Sequence, residues 1–262
     1  MKYPMKSLIL VLAALSAGLA SAEEANYTLT GNVSLASEYL YRGIAQTNHK
    51  PAVQGGFDFG HSSGAYAGVW GSNISWLSDA GAGRVSAPVE LDLYGGYKAA
   101  FGDLSYDVGA LYYYYPGNYP DGWVSPNTFE GYMGLGYKFL SFKTSYAFTD
   151  LFGAADPADA RRKAASRGSY YLDLSATYPL SESLKLLGHV GYQSVEGARG
   201  ADGSTADYTD YKLGATKDAL GMTLGLFYSG SNAKGGVGQF YRSAFDKDLG
   251  AGRVQLTVSK TL

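Results

Sequence analysis

Side chains from residue 27 to residue 262 alternate between apolar and polar with a period of two, and no other feature narrows the fold as far. Successive side chains of a strand point to opposite faces, so this period means strands with one apolar and one polar face. Over 88–101, Val89, Leu91, Leu93, Tyr97, Ala99 and Phe101 share one face, and Glu90, Asp92, Tyr94 and Lys98 share the other. Segment 127–139 sets Phe129, Met133, Leu135, Tyr137 and Phe139 against Glu130, Tyr132 and Lys138. Segment 169–180 sets Tyr170, Leu172, Leu174, Ala176 and Tyr178 against Tyr171, Asp173, Ser175 and Thr177. At the end, Val254, Leu256 and Val258 oppose Arg253, Gln255 and Thr257. No helical stripe of useful length competes with this pattern.

The period predicts strands near 27–42, 51–61, 65–75, 88–101, 104–115, 127–139, 140–150, 169–180, 184–195, 209–219, 220–231 and 252–262. Every second connection is short, as at Gly102-Asp103, Phe139-Leu140 and Asp218-Ala219. The others are long: 43–50, 76–87, 116–126, 151–168, 196–208 and 232–251. A soluble sandwich has no reason to gather every long loop at one end. The expected fold is therefore all-β: a transmembrane antiparallel up-and-down β-barrel of about 12 strands, with short periplasmic turns and long extracellular loops.

Composition agrees and excludes alternatives. Cysteine is absent, so thiol nucleophiles, disulfide scaffolds and Cys-ligated metals are ruled out. A formal charge of −2 gives no basic footprint for nucleic acid. Charged residues make up 17%, below the roughly 25% of average soluble domains, as expected where half of each strand faces hydrocarbon. Rings make up 15% and fall at two levels of the outward faces. Tyr39, Tyr41, Tyr112, Tyr114, Phe129, Phe148, Tyr170, Tyr192, Tyr211 and Tyr228 lie near the long loops. Phe57, Phe59, Tyr97, Phe101, Tyr137, Phe139, Phe142 and Tyr178 lie near the short turns. Between them stand Val33, Leu35, Leu93, Val108, Leu135, Leu174, Val190 and Leu224. Two aromatic girdles around an aliphatic band are expected of an outer-membrane barrel.

The first 22 residues read as a cleaved Sec-type signal peptide. Lys2 and Lys6 supply the positive start, and residues 8–20 are apolar but too short to span a bilayer as a helix. Ala20-Ser21-Ala22 is a small-residue cleavage site, with the cut expected between Ala22 and Glu23. Residues 23–262 then form one barrel domain, exported to the outer membrane of a Gram-negative bacterium.

Strand alternation turns a balanced set of charges inward. The acids are Glu38, Asp58, Glu90, Asp92, Asp107, Glu130 and Asp173; the bases are Arg42, Lys98, Lys138, Lys143, Lys185, Lys212 and Arg253. His189, the only histidine in the interior of a predicted strand, joins them as a lumen hydrogen-bonding group. Lys or Arg facing lipid at the midplane would cost roughly 2–4 kcal/mol each, so a wet interior is their expected place. Such a lining suits passive diffusion of small hydrophilic solutes without strong charge preference. The same charges paired across the barrel would close it, leaving a structural or adhesive role for the long loops. The third loop, 115–123, holds Tyr115, Tyr119 and Trp123, and could be an inward constriction or a rigid surface loop. Arg161, Arg162, Lys163 and Arg167 form a basic loop run that could meet lipopolysaccharide phosphates or solvent. Neither catalytic residues, metal ligands nor a cofactor are expected. Expected partners are outer-membrane lipid, lipopolysaccharide, the barrel-assembly machinery and small polar solutes; oligomeric state is open.

The run from Asn32 through Glu38, Tyr39, Leu40, Tyr41, Arg42 and Gly43 to Gln46 resembles the opening motif of the TorF-type family of proteobacterial porins. The similarity continues through 90–97, 112–117 and 130–149, and so covers essentially the whole mature chain. The resemblance implies an outer-membrane barrel with porin function.

Overall fold

The structure is a computed structural model that describes residues 26–156 and 165–262. The leader with its Ala22/Glu23 cleavage point, and Arg161, Arg162 and Lys163, lie outside the described residues.

The alternating segments form strands within a few residues of their expected bounds, with one exception. The first, β1 (Tyr27–Ala36), stops six residues short of the expected 42. Two short strands follow, β2 (Leu40–Tyr41) and β3 (Ile44–Ala45). Next come β4 (Ala52–His61), β5 (Ala65–Asn73), β6 (Val89–Phe101) and β7 (Leu104–Tyr114). The chain continues with β8 (Thr128–Tyr137), β9 (Leu140–Ala147), β10 (Tyr170–Ser181) and β11 (Leu184–Ser194). It ends with β12 (Tyr208–Ala219), β13 (Met222–Ser231) and β14 (Arg253–Thr261). A helix of five residues, α1 (Trp76–Ala80), lies in the second long connection.

All these strands except β2 and β3 pair in one closed antiparallel barrel of twelve, each with its sequence neighbour. Closure joins the first to the last: β1 pairs with β4 through Ala36↔Ala52 and with β14 through Ala36↔Thr257. Closure leaves no free strand edge, the condition for placing a sheet in hydrocarbon.

Two short turns are displaced slightly from their expected places, one later and one earlier along the chain. The β12–β13 turn is Leu220-Gly221, both with left-handed backbone (φ 55° and 71°), rather than Asp218-Ala219. The β8–β9 turn is Lys138-Phe139, and Lys138 has φ 56°. Lys138 is therefore not pore-lining, contrary to its expected place. Its side chain is exposed at the short-turn end, 3.8 Å from Asp103, because the strand ends one residue before it.

The outer surface carries the expected three bands. Leu93, Val108, Leu135, Leu174 and Val190 are exposed at mid-height. Phe57, Tyr97, Phe101, Tyr137 and Tyr178 are exposed towards the short turns, and Tyr114, Phe129, Tyr170, Tyr211 and Tyr228 towards the long loops. Rings at the second level meet across neighbouring strands: Tyr170 with Tyr192 at 6.2 Å and Tyr211 with Tyr228 at 6.0 Å. Tyr39 and Tyr41 depart from the expected girdle. Both lie inside the barrel, because their segment has left the wall.

The inner surface explains why a tyrosine-rich chain is also glycine-rich. Inward tyrosines lie flat across the glycine of an adjacent strand. A β-carbon on Gly68 would stand 2.4 Å from the Tyr94 ring, and one on Gly109 2.6 Å from the ring of Tyr132.

Candidate functional site in the barrel lumen

Beyond Ala36 the chain turns into the barrel, and residues 37–50 cross the lumen. The third loop was one candidate for an inward fold; the segment that crosses is instead the first. Its hairpin pairs Leu40 with Ala45 and Tyr41 with Ile44 around the turn Arg42-Gly43. Both turn residues have left-handed backbone, φ 46° and 76°, as a two-residue hairpin turn of this hand requires. At Gly43 space is also decisive, since a β-carbon would lie 2.6 Å from Cβ of Asp210.

Arg42 was expected to line the outer lumen from the wall of β1; it lies in the outer lumen, but is carried off the wall on the hairpin tip. Its Nη2 donates to Glu130 Oε2 at 2.7 Å, and its Nη1 to Glu130 Oε1 at 3.1 Å and Gln193 Oε1 at 2.7 Å. The guanidinium lies 4.3 Å from the Tyr171 ring centroid and 4.8 Å from that of Tyr41. The pair is nearly dry, with side-chain exposures of 8% for Arg42 and 3% for Glu130. The rest of the segment is tied down similarly. Tyr39 donates to Glu90 Oε1 at 2.7 Å, and Tyr41 and Tyr113 share a hydrogen bond of 2.7 Å between hydroxyls. Glu38 accepts from Arg253 Nε at 2.8 Å and lies 2.8 Å from His49 Nδ1. From above, the start of α1 caps the segment, with the amides of Ser75 and Trp76 donating to the Gln46 carbonyl.

These contacts reach β6, β7, β8, β11 and β14, so the segment bridges the full width of the barrel. Wall residues at this level are buried, including Glu90, Tyr113, Glu130, Gln193, Asp210 and Gln255. Side chains lining a wide wet pore would be accessible to water; these are not. The outer half of the lumen is filled.

A second ionic group lies below the tip. His189 stands between two carboxylates, with Nδ1 2.7 Å from Asp173 Oδ2 and Nε2 2.7 Å from Asp210 Oδ1. Tyr171 also donates to Asp210, at 2.9 Å. Ser175 Oγ lies 3.3 Å from His189 Nδ1, but the hydroxyl donates to Asp173 at 2.6 Å. With a carboxylate against each ring nitrogen, His189 has no lone pair free to take a serine proton. The arrangement holds the wall together and does not prepare a nucleophile.

Towards the short turns the lining opens. Asp58 accepts from Asn32 Nδ2 at 3.3 Å, and Asp107 from the Tyr66 hydroxyl at 2.5 Å. Lys143 stands 3.8 Å over the Tyr132 ring, Lys212 4.6 Å over Phe227 and Lys98 5.5 Å over Tyr66. Lys98, Lys143 and Lys185 are solvent-exposed on the inward side of their strands. The expected charges thus fall into two groups. Glu38 and Arg42 lie on the crossing segment and Glu90, Asp92, Glu130 and Arg253 surround it, while Asp58, Lys98, Asp107, Lys143, Asp173, Lys185, His189 and Lys212 lie below it. Asp210, His49, Gln193 and Gln255 were not among the expected lining residues. Asp210 was legible, because it shares a face with Lys212 on β12.

Above the hairpin the long loops enclose a cavity of about 780 Å³. The third loop forms part of its wall with Tyr115 and Trp123, and is bridged to the second through Ser86 and Asn118. Tyr241, from the last long loop, donates to the Ala206 carbonyl at 2.6 Å; burial raises its pKa well above the usual range and keeps it a donor.

No curated protein sequence matches the chain. Among solved structures, the NanC porin in a rhombohedral crystal form is similar with a TM-score of 0.54 at 13% identity, over 90% of this chain and 100% of that one. A structure from a study of the in-meso crystallisation of membrane proteins gives 0.51 at 10% identity, over 89% of this chain and 83% of its own. At such identities the likeness is one of fold. A family model described as a bacterial protein of unknown function (Gcw_chp) matches residues 20–262, and the chain belongs to that family.

Proposed function

We propose that the protein is an outer-membrane channel for small hydrophilic solutes whose own first loop narrows the passage. The carrying observation is the two-level lumen: a charged, water-open lining at the short-turn end, beneath a crossing segment whose tip is gripped through the Arg42 side chain. The tip has no covalent tie to the wall, so it can leave Glu130 and Gln193 without unfolding the barrel. The exposed apolar belt between two rings of aromatics supports placement in a membrane, with the short turns on the periplasmic side. The resemblance of the opening motif to TorF-type porins points the same way.

One observation favours a second reading. The mid-lumen side chains are dry, as in a permanently closed barrel that works through its loops. Planar-bilayer recording separates the two. Refolded residues 23–262 should give discrete current steps that scale with salt, and replacing 38–48 by a short Gly-Ser linker should enlarge them. Silence from both proteins, each shown to be folded and inserted, would overturn the channel and leave the closed barrel.

A further inference from the structure

We infer that the cavity above the hairpin is a binding site for an uncharged, ring-bearing organic molecule carrying one hydrogen-bond acceptor and one donor. Its size, about 780 Å³, is in the range of sites that enclose drug-sized ligands. The walls present rings from four separate long loops: Trp76 from the second, Tyr115 and Trp123 from the third, Phe152 from the fourth, and Phe240 and Tyr241 from the last. Several are braced edge to face, with Trp76 5.6 Å from Tyr115 and Phe240 5.0 Å from Tyr241. Such bracing holds flat apolar faces ready for a planar ligand.

Polar groups on the wall are mostly engaged already. The Tyr241 hydroxyl bonds to Ala206, Arg242 pairs with Asp246 at 2.6 Å, and Asp79 accepts from Ser75 at 2.8 Å. Two lining residues are different. The Trp76 indole nitrogen and the Asn48 side-chain oxygen are cut off from water and have no partner among the described residues. Asn48 is only 3% exposed. An orphaned donor and an orphaned acceptor on two residues that line the cavity are costly while unpaired, and a ligand with the complementary pair would satisfy both once the side chains turn towards it.

This defines the ligand class. A sugar brings many hydroxyls, and most would lose water without gaining a partner on these ring faces. A carboxylate or sulfonate would face Asp79 and Asp156, with the lining guanidinium already paired. A phenolic or lactone-bearing ring system meets the wall on both counts. The inference does not depend on conduction: the site binds whether or not solute passes the hairpin.

The test uses umbelliferone, whose lactone carbonyl accepts and whose phenol donates. Equilibrium dialysis against the full barrel in lipid nanodiscs, in mildly acidic buffer that keeps the phenol neutral, measures binding above that of empty nanodiscs. Trp76→Phe removes the indole donor but keeps a ring. Asn48→Gly removes the acceptor, and glycine suits its φ of 50°. Saturable binding is expected, weakened about fivefold to tenfold by each variant, with glucose and naphthalene sulfonate failing to compete. Heat-modifiable gel mobility checks that every variant is folded. Uptake equal to that of empty nanodiscs would overturn the site; binding unchanged by both variants, or displaced by glucose, would overturn the ligand class.

Discussion

Glu130→Gln is the sharpest perturbation of the lumen, because it removes one charge and almost no volume. In the native barrel the Arg42 guanidinium rests on both Glu130 oxygens, at 2.7 and 3.1 Å, with neither side chain more than 8% exposed. Removing one partner of a buried pair costs about 3–5 kcal/mol, since the other charge stays dry and uncompensated. Gln193 and the rings of Tyr41 and Tyr171 still hold the guanidinium, which favours the lower end. Because the tip can escape the penalty by undocking, about 3 kcal/mol acts directly on the docked-to-undocked ratio. At 1.4 kcal/mol per tenfold, the undocked population should rise about a hundredfold. The assay is single-channel recording at fixed salt. The variant should show longer and larger openings than wild type, and Arg42→Met combined with Glu130→Gln should recover part of the closed behaviour by removing the stranded charge. A folded, inserted Glu130→Gln barrel with a wild-type trace would refute the claim that this pair latches the segment.

Gly43→Ala should also undock the tip. Its φ of 76° and the approach to Asp210 leave no room for a methyl group, so a loss of at least about 1 kcal/mol is expected, read as increased open time in the same recording. Asp210→Asn should destabilise the barrel by about 3 kcal/mol, because it removes the dry charge beside His189 and leaves one acceptor oxygen where His189 and Tyr171 each had one; a urea midpoint equal to that of wild type would count against this. Leu174→Arg places a cation in the middle of the exposed belt and should cost about 2–4 kcal/mol in vesicle folding titrations, whereas a negligible cost would mean that the belt does not face hydrocarbon. Asp107→Lys, on the open inner lining, should move the reversal potential in a salt gradient towards anions, provided that solute passes this level.

The wall of the barrel could be read from the chain because its rule is local. Each residue faces lipid or lumen according to its parity, and Phe57, Leu93, Leu174 and Tyr228 announce their face without reference to distant partners. The same rule made Glu90, Asp92, Glu130 and Asp173 legible as inward, and could have added Asp210. It failed where two structures share one period. Leu40-Tyr41 and Ile44-Ala45 alternate as well in a hairpin as in a longer β1, and Arg42-Gly43 carries only a weak turn signal. What takes 37–50 off the wall is the set of partners waiting inside: the dry Glu90, Tyr113, Glu130 and Gln193, and the partly exposed Arg253, dozens to hundreds of residues away along the chain. The sequence alone determined a closed wall with a lipid face and a charged face, since burial in lipid or water acts on each residue separately. Whether the charged face lines a channel or grips a segment of its own chain was decided by tertiary structure, because a buried ion pair stabilises only when both partners arrive at the same dry point.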